Sequence, residues 1–171
     1  MCPQMFAAPL APHLAARAEQ KRVDPKLLRE GIEFWRESSD AVLVEGPEDD
    51  VGVIATARKL QKIAELPDEI GVSVVVAGSK GEIPKFQRIL NAFELQYAVL
   101  LELDGKAEDH PQNAAILTEL NGNRIARIPN KLESLLGLNR HFEDQREARQ
   151  FFSDPDNINA NMEAVVAQLL P

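Results

Sequence analysis

The chain has 171 residues and a mass of 19.0 kDa, enough for one domain with a hydrophobic core that depends on neither disulfides nor structural metal. A net charge of −8 argues against a large electrostatic footprint for polyanions, so nucleic-acid binding needs help from bound cations or from another part of a larger protein. The single Cys2 excludes an intrachain disulfide, and the lack of a long apolar run or a signal-type opening leads us to expect a cytoplasmic protein without a membrane span.

The first 38 residues are interpreted as a lead-in to the domain. Prolines make the opening irregular, and an Ala-rich stretch at 13–20 predicts a short helix. Asp24 is a favourable N-cap, and Pro25 suits the first helical position of a second helix that we expect to reach about residue 37.

An alternation of strands and helices follows, and it defines a predicted core at 39–138. Strands are predicted at 41–44, 72–77, 97–103 and 124–128, and helices from 47 to about 63, from 83 to about 93 and at 112–120. In the second of these helices, the spacing predicts Phe86, Ile89, Leu90 and Phe93 on the inner side. Regular alternation predicts an α/β fold with a mostly parallel four-stranded sheet flanked by helices.

The end of the chain is predicted to be helical. Apolar spacing indicates helices at 131–136, 144–152 and 162–170, and an Asp-Pro-Asp break separates the last two. We treat 139–171 as a helical C-terminal extension of the core.

Acidic side chains follow two of the predicted strands. Glu45 ends the first strand and Asp49 comes one helical turn later, whereas Glu102 and Asp104 end the third strand. The carboxyl ends of parallel strands lie at the same edge of a sheet, so these four carboxylates can converge. Their mutual repulsion favours a hard divalent cation such as Mg²⁺ or Mn²⁺, and two such ions can support phosphodiester cleavage. An acid in a first helical turn also stabilises the helix dipole without any metal, which is the structural alternative for Asp49.

Four sequence blocks resemble a known family. Val-Glu-Gly-Pro-Glu-Asp at 44–49 followed by a strand-end acid pair is similar to the Toprim domain of topoisomerases, primases and nucleases. The blocks at 76–86, 97–104 and 128–133 resemble more narrowly the Toprim nuclease domain of the OLD (overcoming lysogenization defect) endonucleases. The resemblance spans about 40–138 and implies a Toprim-like fold and a metal-dependent DNA endonuclease.

The resemblance also implies which acids hold the metal. Glu45 and Asp49 correspond to the acids of the family's first motif, and Glu102 and Asp104 correspond to its Asp-x-Asp pair. Glu102 departs from that pattern, because Glu keeps the charge of Asp but is one methylene longer. Glu133 resembles a further acid of the OLD-type site. The implied cofactors are two Mg²⁺ or Mn²⁺ ions.

A basic residue and partners are implied as well. Lys80 is our first candidate for a lysine that assists the reaction, with Lys106 and Lys131 as alternatives. DNA is the implied substrate, and the implied partner is an ATPase domain or subunit outside this chain.

Two other readings remain open at the level of sequence. Residues 6–16 and 42–46 are also similar to dethiobiotin synthetase, an ATP-dependent carboxylase, which would make the chain an ATP-dependent ligase-like domain. The glycines that follow Glu-Gly in that family are Pro47, Glu48 and Asp49 here, and the sequence has no Gly-x-x-x-x-Gly-Lys-Ser/Thr loop. The non-enzyme alternative is a degenerate Toprim module retained for assembly.

Overall fold

The computed structural model describes residues 16–27, 29, 30, 33, 40–60 and 72–170. The chain forms two compact units, Met1–Ser38 and Ser39–Pro171. In the first unit, the predicted helix start is confirmed: residues 25–27, 29, 30 and 33 are helical, and the backbone N–H of Lys26 donates to Asp24 Oδ1 at 2.8 Å. The predicted end of this helix, at 34–37, lies outside the described residues.

The second unit is built on a four-stranded sheet in which every described pairing is parallel. The order is β2-β1-β3-β4. The strands are β1 at Asp40–Val44, β2 at Val72–Val76, β3 at Tyr97–Glu102 and β4 at Arg124–Ile128. β1 and β3 are the central strands, which explains why their sequences are continuous apolar runs without polar alternation. The predicted fold class is therefore confirmed.

Helices connect and cover the strands. They are α1 at Pro47–Lys59, α2 at Ile83–Ala92, α3 at Pro111–Thr118, α4 at Leu132–Leu135, α5 at Gln145–Phe152, a 3₁₀ turn at Pro155–Asn157 and α6 at Ala160–Leu169. Side chains cap the last helices, since Asp144 accepts from the N–H of Glu147 at 2.8 Å and Asn159 from that of Met162 at 3.0 Å. The predicted continuation of α1 to about residue 63 lies outside the described residues. Across the described part of the chain, no helix combines the length and apolarity needed to cross a membrane.

Each face of the sheet carries its own hydrophobic core. Val42 and Val44 of β1 belong to one core and Leu43 to the other, as the two-residue period of a strand requires. The first core also contains Phe152 of α5 and Val166 of α6, so the C-terminal helices complete it. Burying a side chain of this size stabilises the fold by roughly 1.5–3 kcal/mol.

The orientation of α2 differs from the prediction. Ile89 and Phe93, predicted to face inward, are 54% and 46% exposed. Ile83 and Gln87 are buried instead, and the Gln87 amide donates to the carbonyl of Ile116 at 3.1 Å. Phe86 and Leu90 are partly buried and pack against the core, as predicted. Apolar spacing was therefore right for these two residues and wrong for Ile89 and Phe93, because the hydrogen bond of Gln87 allows a polar residue at the inner position.

Gly52 lies where α1 meets the C-terminal helices, and its replacement gives a test of this packing. A Cβ at Gly52 would lie 3.0 Å from Phe152 Cζ, 3.1 Å from Leu132 Cδ2 and 3.2 Å from Met162 Cε. We expect Gly52→Val to lower the free energy of unfolding in urea by about 1–3 kcal/mol through overpacking. Gly81→Val is the control, because a Cβ there would meet only Ser79 Oγ, at 4.0 Å, which is an ordinary van der Waals distance. Equal stability of the two variants would contradict the packing described here.

Candidate metal centre

The carboxyl ends of three strands bring polar side chains to one edge of the sheet. Glu45 follows β1 directly, Glu102 is the last residue of β3, and Lys80 lies in the loop after β2. Hydrogen bonds continue past the strand ends, since the N–H of Gly78 donates to the Glu45 carbonyl at 3.0 Å. The loops after neighbouring strands are thereby held together at this edge.

Asp49 is buried in the first turn of α1, where its carboxylate also takes part in capping the helix. Its Oδ2 accepts a hydrogen bond from the N–H of Gly46 at 2.8 Å, and only 7% of the residue is exposed. Burial raises the pKa of Asp49 to about 7, and the negative charges of Glu45 and Glu133 act in the same direction. The hydrogen bond from Gly46 opposes this rise in pKa.

Glu102 is the second buried carboxylate, also 7% exposed. Its Oε1 accepts a hydrogen bond from the N–H of Leu132 at 2.6 Å, which joins the end of β3 to the start of α4. Burial raises the pKa of Glu102 to about 8, and the charge of Asp49, followed by that of Glu45, adds to the rise. Asp49 and Glu102 therefore interact electrostatically although 52 positions separate them in the sequence.

We call Glu45, Asp49, Glu102 and Glu133 the acidic cluster, because the charges of Glu45 and Glu133 raise the pKa of Asp49 and the charges of Asp49 and Glu45 raise that of Glu102. Glu133 is half-buried, and its Oε1 accepts from the N–H of Phe142 at 3.2 Å. The Nδ1 atom of His141 lies 3.4 Å from the same oxygen. The contact between His141 and Glu133 was not predicted from the sequence. It depends on the path of the loop before α5, which leaves no signal in the spacing of residues.

Asp104 lies two residues after Glu102 and pairs with two lysines. It has a left-handed backbone with φ of 54°, and Gly105 follows with φ of 67°, so the chain turns sharply after β3. The Lys80 ammonium donates both to Asp104 Oδ2 and to the backbone carbonyl of Glu102. Lys131 Nζ lies 3.9 Å from Asp104 Oδ1. Both oxygens of this carboxylate thus face an ammonium group.

Two of the three candidate lysines, Lys80 and Lys131, lie beside Asp104. Lys106 has no described bond to any of the acids. Lys106 is exposed, and its ammonium lies 3.4 Å from Gln112 Oε1. Lys80 and Lys131 are therefore the two candidate lysines that lie near an acid.

The acids have the donor chemistry of a divalent-cation site. Carboxylate oxygens are the donors that Mg²⁺ and Mn²⁺ prefer, and buried carboxylates whose pKa is raised by neighbouring negative charges gain from a nearby cation. Within the described residues, however, no group of three or more His, Cys, Asp or Glu side chains is arranged to hold a metal ion as it stands. Asp49, Glu102 and Asp104 instead have internal partners: Asp49 accepts from Gly46, Glu102 accepts from Leu132 and Asp104 accepts from Lys80. The carboxylates are therefore of the chemical type that a divalent cation prefers, but the structure does not assemble them into a metal site.

A family match falls on this part of the fold. Residues 38–104 match the model of the overcoming lysogenization defect protein-like TOPRIM domain, which is less than half of the chain but includes β1 to β3 and the turn that follows. The resemblance to an OLD-type Toprim domain is therefore confirmed for this segment. Domains of this type bind divalent metal ions in general.

A solved structure and two curated proteins are also similar to the chain. The C-terminal region of the Burkholderia pseudomallei OLD protein is 14% identical, with a TM-score of 0.43, covering 78% of this chain and 89% of that one. The ATP-dependent dethiobiotin synthetase BioD of Anaeromyxobacter sp. is 36% identical over 81 residues, which are 47% of this chain and 35% of that protein. BioD 2 of Haemophilus influenzae is 38% identical over 45 residues, 26% of this chain and 24% of that protein. The chain thus spans about a third or less of the length of the curated relatives it matches.

Proposed function

We propose that this chain is the metal-dependent nuclease centre of an OLD-type protein and hydrolyses phosphodiester bonds in DNA. The observation that carries the proposal is the burial of two carboxylates within the Toprim match, Asp49 in the first turn of α1 and Glu102 at the end of β3. Keeping both ionised near neutral pH costs free energy unless a cation is bound, so a role in holding metal accounts for an otherwise unfavourable pair.

The proposed ligands of two divalent ions are Glu45, Asp49, Glu102, Asp104 and, as the fifth acid, Glu133. When bound, Mg²⁺ or Mn²⁺ supplies Lewis-acid polarisation of the phosphate and lowers the pKa of a coordinated water. The carboxylates of the chain would hold the metal ions at the carboxyl edge of the sheet, next to its central strands.

Two lysines support the reaction in this proposal. The ammonium groups of Lys80 and Lys131 lie beside Asp104, at the margin of the acidic cluster. Positive charge fixed there can offset the negative charge that develops on phosphate oxygens in the transition state. Lys131 is the more accessible of the two, with 46% of its side chain exposed.

The charge of the chain bears on its partners. With a net charge of −8, the chain by itself offers little electrostatic attraction for DNA. We propose that an ATPase domain or subunit of the OLD type provides the remaining DNA contacts. The ligase-like alternative is less favoured, since the sequence lacks the phosphate-binding loop that an ATP site of that kind uses.

Nicking of supercoiled plasmid by the full chain tests the proposed function. We expect nicking with Mg²⁺ or Mn²⁺ and none with EDTA, and a loss of roughly a thousandfold in Glu45→Gln and Asp104→Asn, because each removes several kcal/mol of charge stabilisation. Glu48→Gln is the matched control, since Glu48 carries the same charge in the first turn of α1 and has no assigned ligand role.

Two outcomes would count against the proposal in different ways. Metal-dependent nicking that survives both Glu45→Gln and Asp104→Asn would refute the assignment of the site. If the folded chain binds Mn²⁺ but does not nick DNA in the presence of any of the metals, the chain is an assembly module rather than a nuclease.

A further inference from the structure

The outer face of α2 carries large apolar side chains. Among the described residues of the unit Ser39–Pro171, the large hydrophobic side chains that are exposed are Ile89 and Phe93, at 54% and 46%. They lie one helical turn apart, since the N–H of Phe93 donates to the Ile89 carbonyl at 3.2 Å. Ala92, which is also exposed, lies on the same face. We call Ile89, Ala92 and Phe93 the α2 patch, because they form one apolar surface rather than scattered single residues.

The fold of the domain does not use this patch. The opposite face of α2 packs on the second core through Ile83, Phe86 and Leu90. Ile89 and Phe93 keep about half of their surface in water, which a docked apolar surface would remove from solvent at a gain in free energy. The apolar spacing that predicts burial of both residues is thus consistent with their burial in an assembly.

Opposite charges flank the patch. Arg88 precedes it, with 60% of its side chain exposed, and the exposed Glu94 follows it in the turn that ends α2. Arg88 Nε lies 3.7 Å from Glu119 Oε1, and so long and exposed a contact contributes little to stability. The guanidinium can therefore turn toward a docked carboxylate at little cost.

The order of these residues is self-complementary about position 91. Ile89 and Phe93 lie two positions before and after it, and Arg88 and Glu94 lie three positions before and after it. In a two-fold contact, residue i of one copy meets residue j of the other and j meets i. An antiparallel pair of α2 helices whose two-fold axis passes at the level of position 91 therefore brings apolar residues together and opposite charges together.

We propose that the α2 patch is a homodimer interface, in which α2 packs antiparallel against α2 of a second copy, with Ile89 against Phe93 and Arg88 beside Glu94. The inference goes beyond the proposed nuclease activity and does not depend on it. A patch of this size belongs to the small and weak class of interfaces, so the dimer forms and dissociates with concentration.

Sedimentation velocity of the full chain, from about 5 to about 200 μM, tests the inference. We expect the parent to pass from monomer to dimer over this range, and Phe93→Ser to raise the dissociation constant by about tenfold or more, because it removes a central apolar side chain. Leu27→Ser is the matched control. Leu27 is 39% exposed but lies outside the patch, so its replacement should leave the dimer unchanged. Urea unfolding confirms that each variant is folded.

Reversal of the flanking charges tests the antiparallel pairing. Arg88→Glu and Glu94→Arg are each expected to weaken the dimer by about fivefold or more, since each places like charges opposite one another. The double variant restores the opposite charges and should return the dissociation constant close to the parental value. Loss of the contact between Arg88 and Glu119 within one chain would not be repaired by Glu94→Arg, so this rescue is specific to the dimer.

Three results would overturn the inference. The first is a parent chain that stays monomeric at the highest concentration, including the case in which the patch is covered only when an OLD-type ATPase is added. The second is a dimer that Phe93→Ser and Leu27→Ser affect equally. The third is a folded double charge variant that dimerises no better than the single variants.

Discussion

Asp49→Asn is expected to stabilise the metal-free protein at about pH 8 while abolishing cleavage, because the same carboxylate is costly without a cation and needed with one. The amide oxygen of asparagine can still accept the hydrogen bond from Gly46, so the start of α1 is kept. We expect the free energy of unfolding to rise by about 1–2 kcal/mol at this pH and plasmid nicking to fall roughly a thousandfold.

Asp50→Asn is the matched control for this prediction. It removes the same charge one position along α1, from a side chain near Arg149 rather than Glu102. It should leave nicking close to the parental rate. If Asp49→Asn destabilises the metal-free protein at about pH 8, or nicks DNA as fast as Asp50→Asn, Asp49 does not have the role assigned to it.

The metal-free protein is expected to lose stability as pH rises through the neutral range. Burial and the charges of neighbouring carboxylates raise the pKa of Asp49 to about 7 and that of Glu102 to about 8, above the ordinary carboxyl values near 4 that apply to the unfolded chain. The folded state therefore holds protons that the unfolded state has released. This contribution to stability is fully present below about pH 4 and is lost as pH rises to about 8.

Urea unfolding in EDTA at about pH 5 and about pH 8.5 measures this effect. We expect a fall on the order of 2 kcal/mol in the parent and a smaller fall in Glu102→Gln, which carries no titrating carboxyl at that position. Added Mg²⁺ should restore stability more at the higher pH, since binding a metal to carboxylates releases their protons. Parallel pH profiles for the parent and Glu102→Gln would show that Glu102 is not the buried group described here.

The central part of the fold was predictable because its sequence signals are local and strong. β1 and β3 are buried on both faces, which gives apolar runs that end in Glu45 and Glu102. The rule that parallel strands share a carboxyl edge then predicts that these two acids lie close together. The charge of Glu45 is one of the causes that raise the pKa of Glu102. The family match depends on the same short segments.

Features set by side-chain packing across the fold were not predictable in the same way. Apolar spacing suggested that Ile89 faces inward, but the hydrogen bond from Gln87 to Ile116 allows a polar residue at the inner position of α2. Lys80 could be identified as a candidate from its glycine-containing loop. The partner of Lys80, Asp104, could not be identified from the sequence. A long side chain that reaches past β1 leaves no periodic signal there.

The claim that Asp49 belongs to a metal-dependent nuclease centre is tested most directly by the rate at which the folded full chain nicks supercoiled plasmid in Mg²⁺. This rate is compared between parallel preparations of the parent, Asp49→Asn and Asp50→Asn. We expect the parent and Asp50→Asn to nick the plasmid, EDTA to abolish this nicking, and Asp49→Asn to lose roughly a thousandfold in rate. Equal metal-dependent rates for all three proteins would contradict the claim that the coupled carboxylates at the carboxyl edge of the sheet are the metal centre.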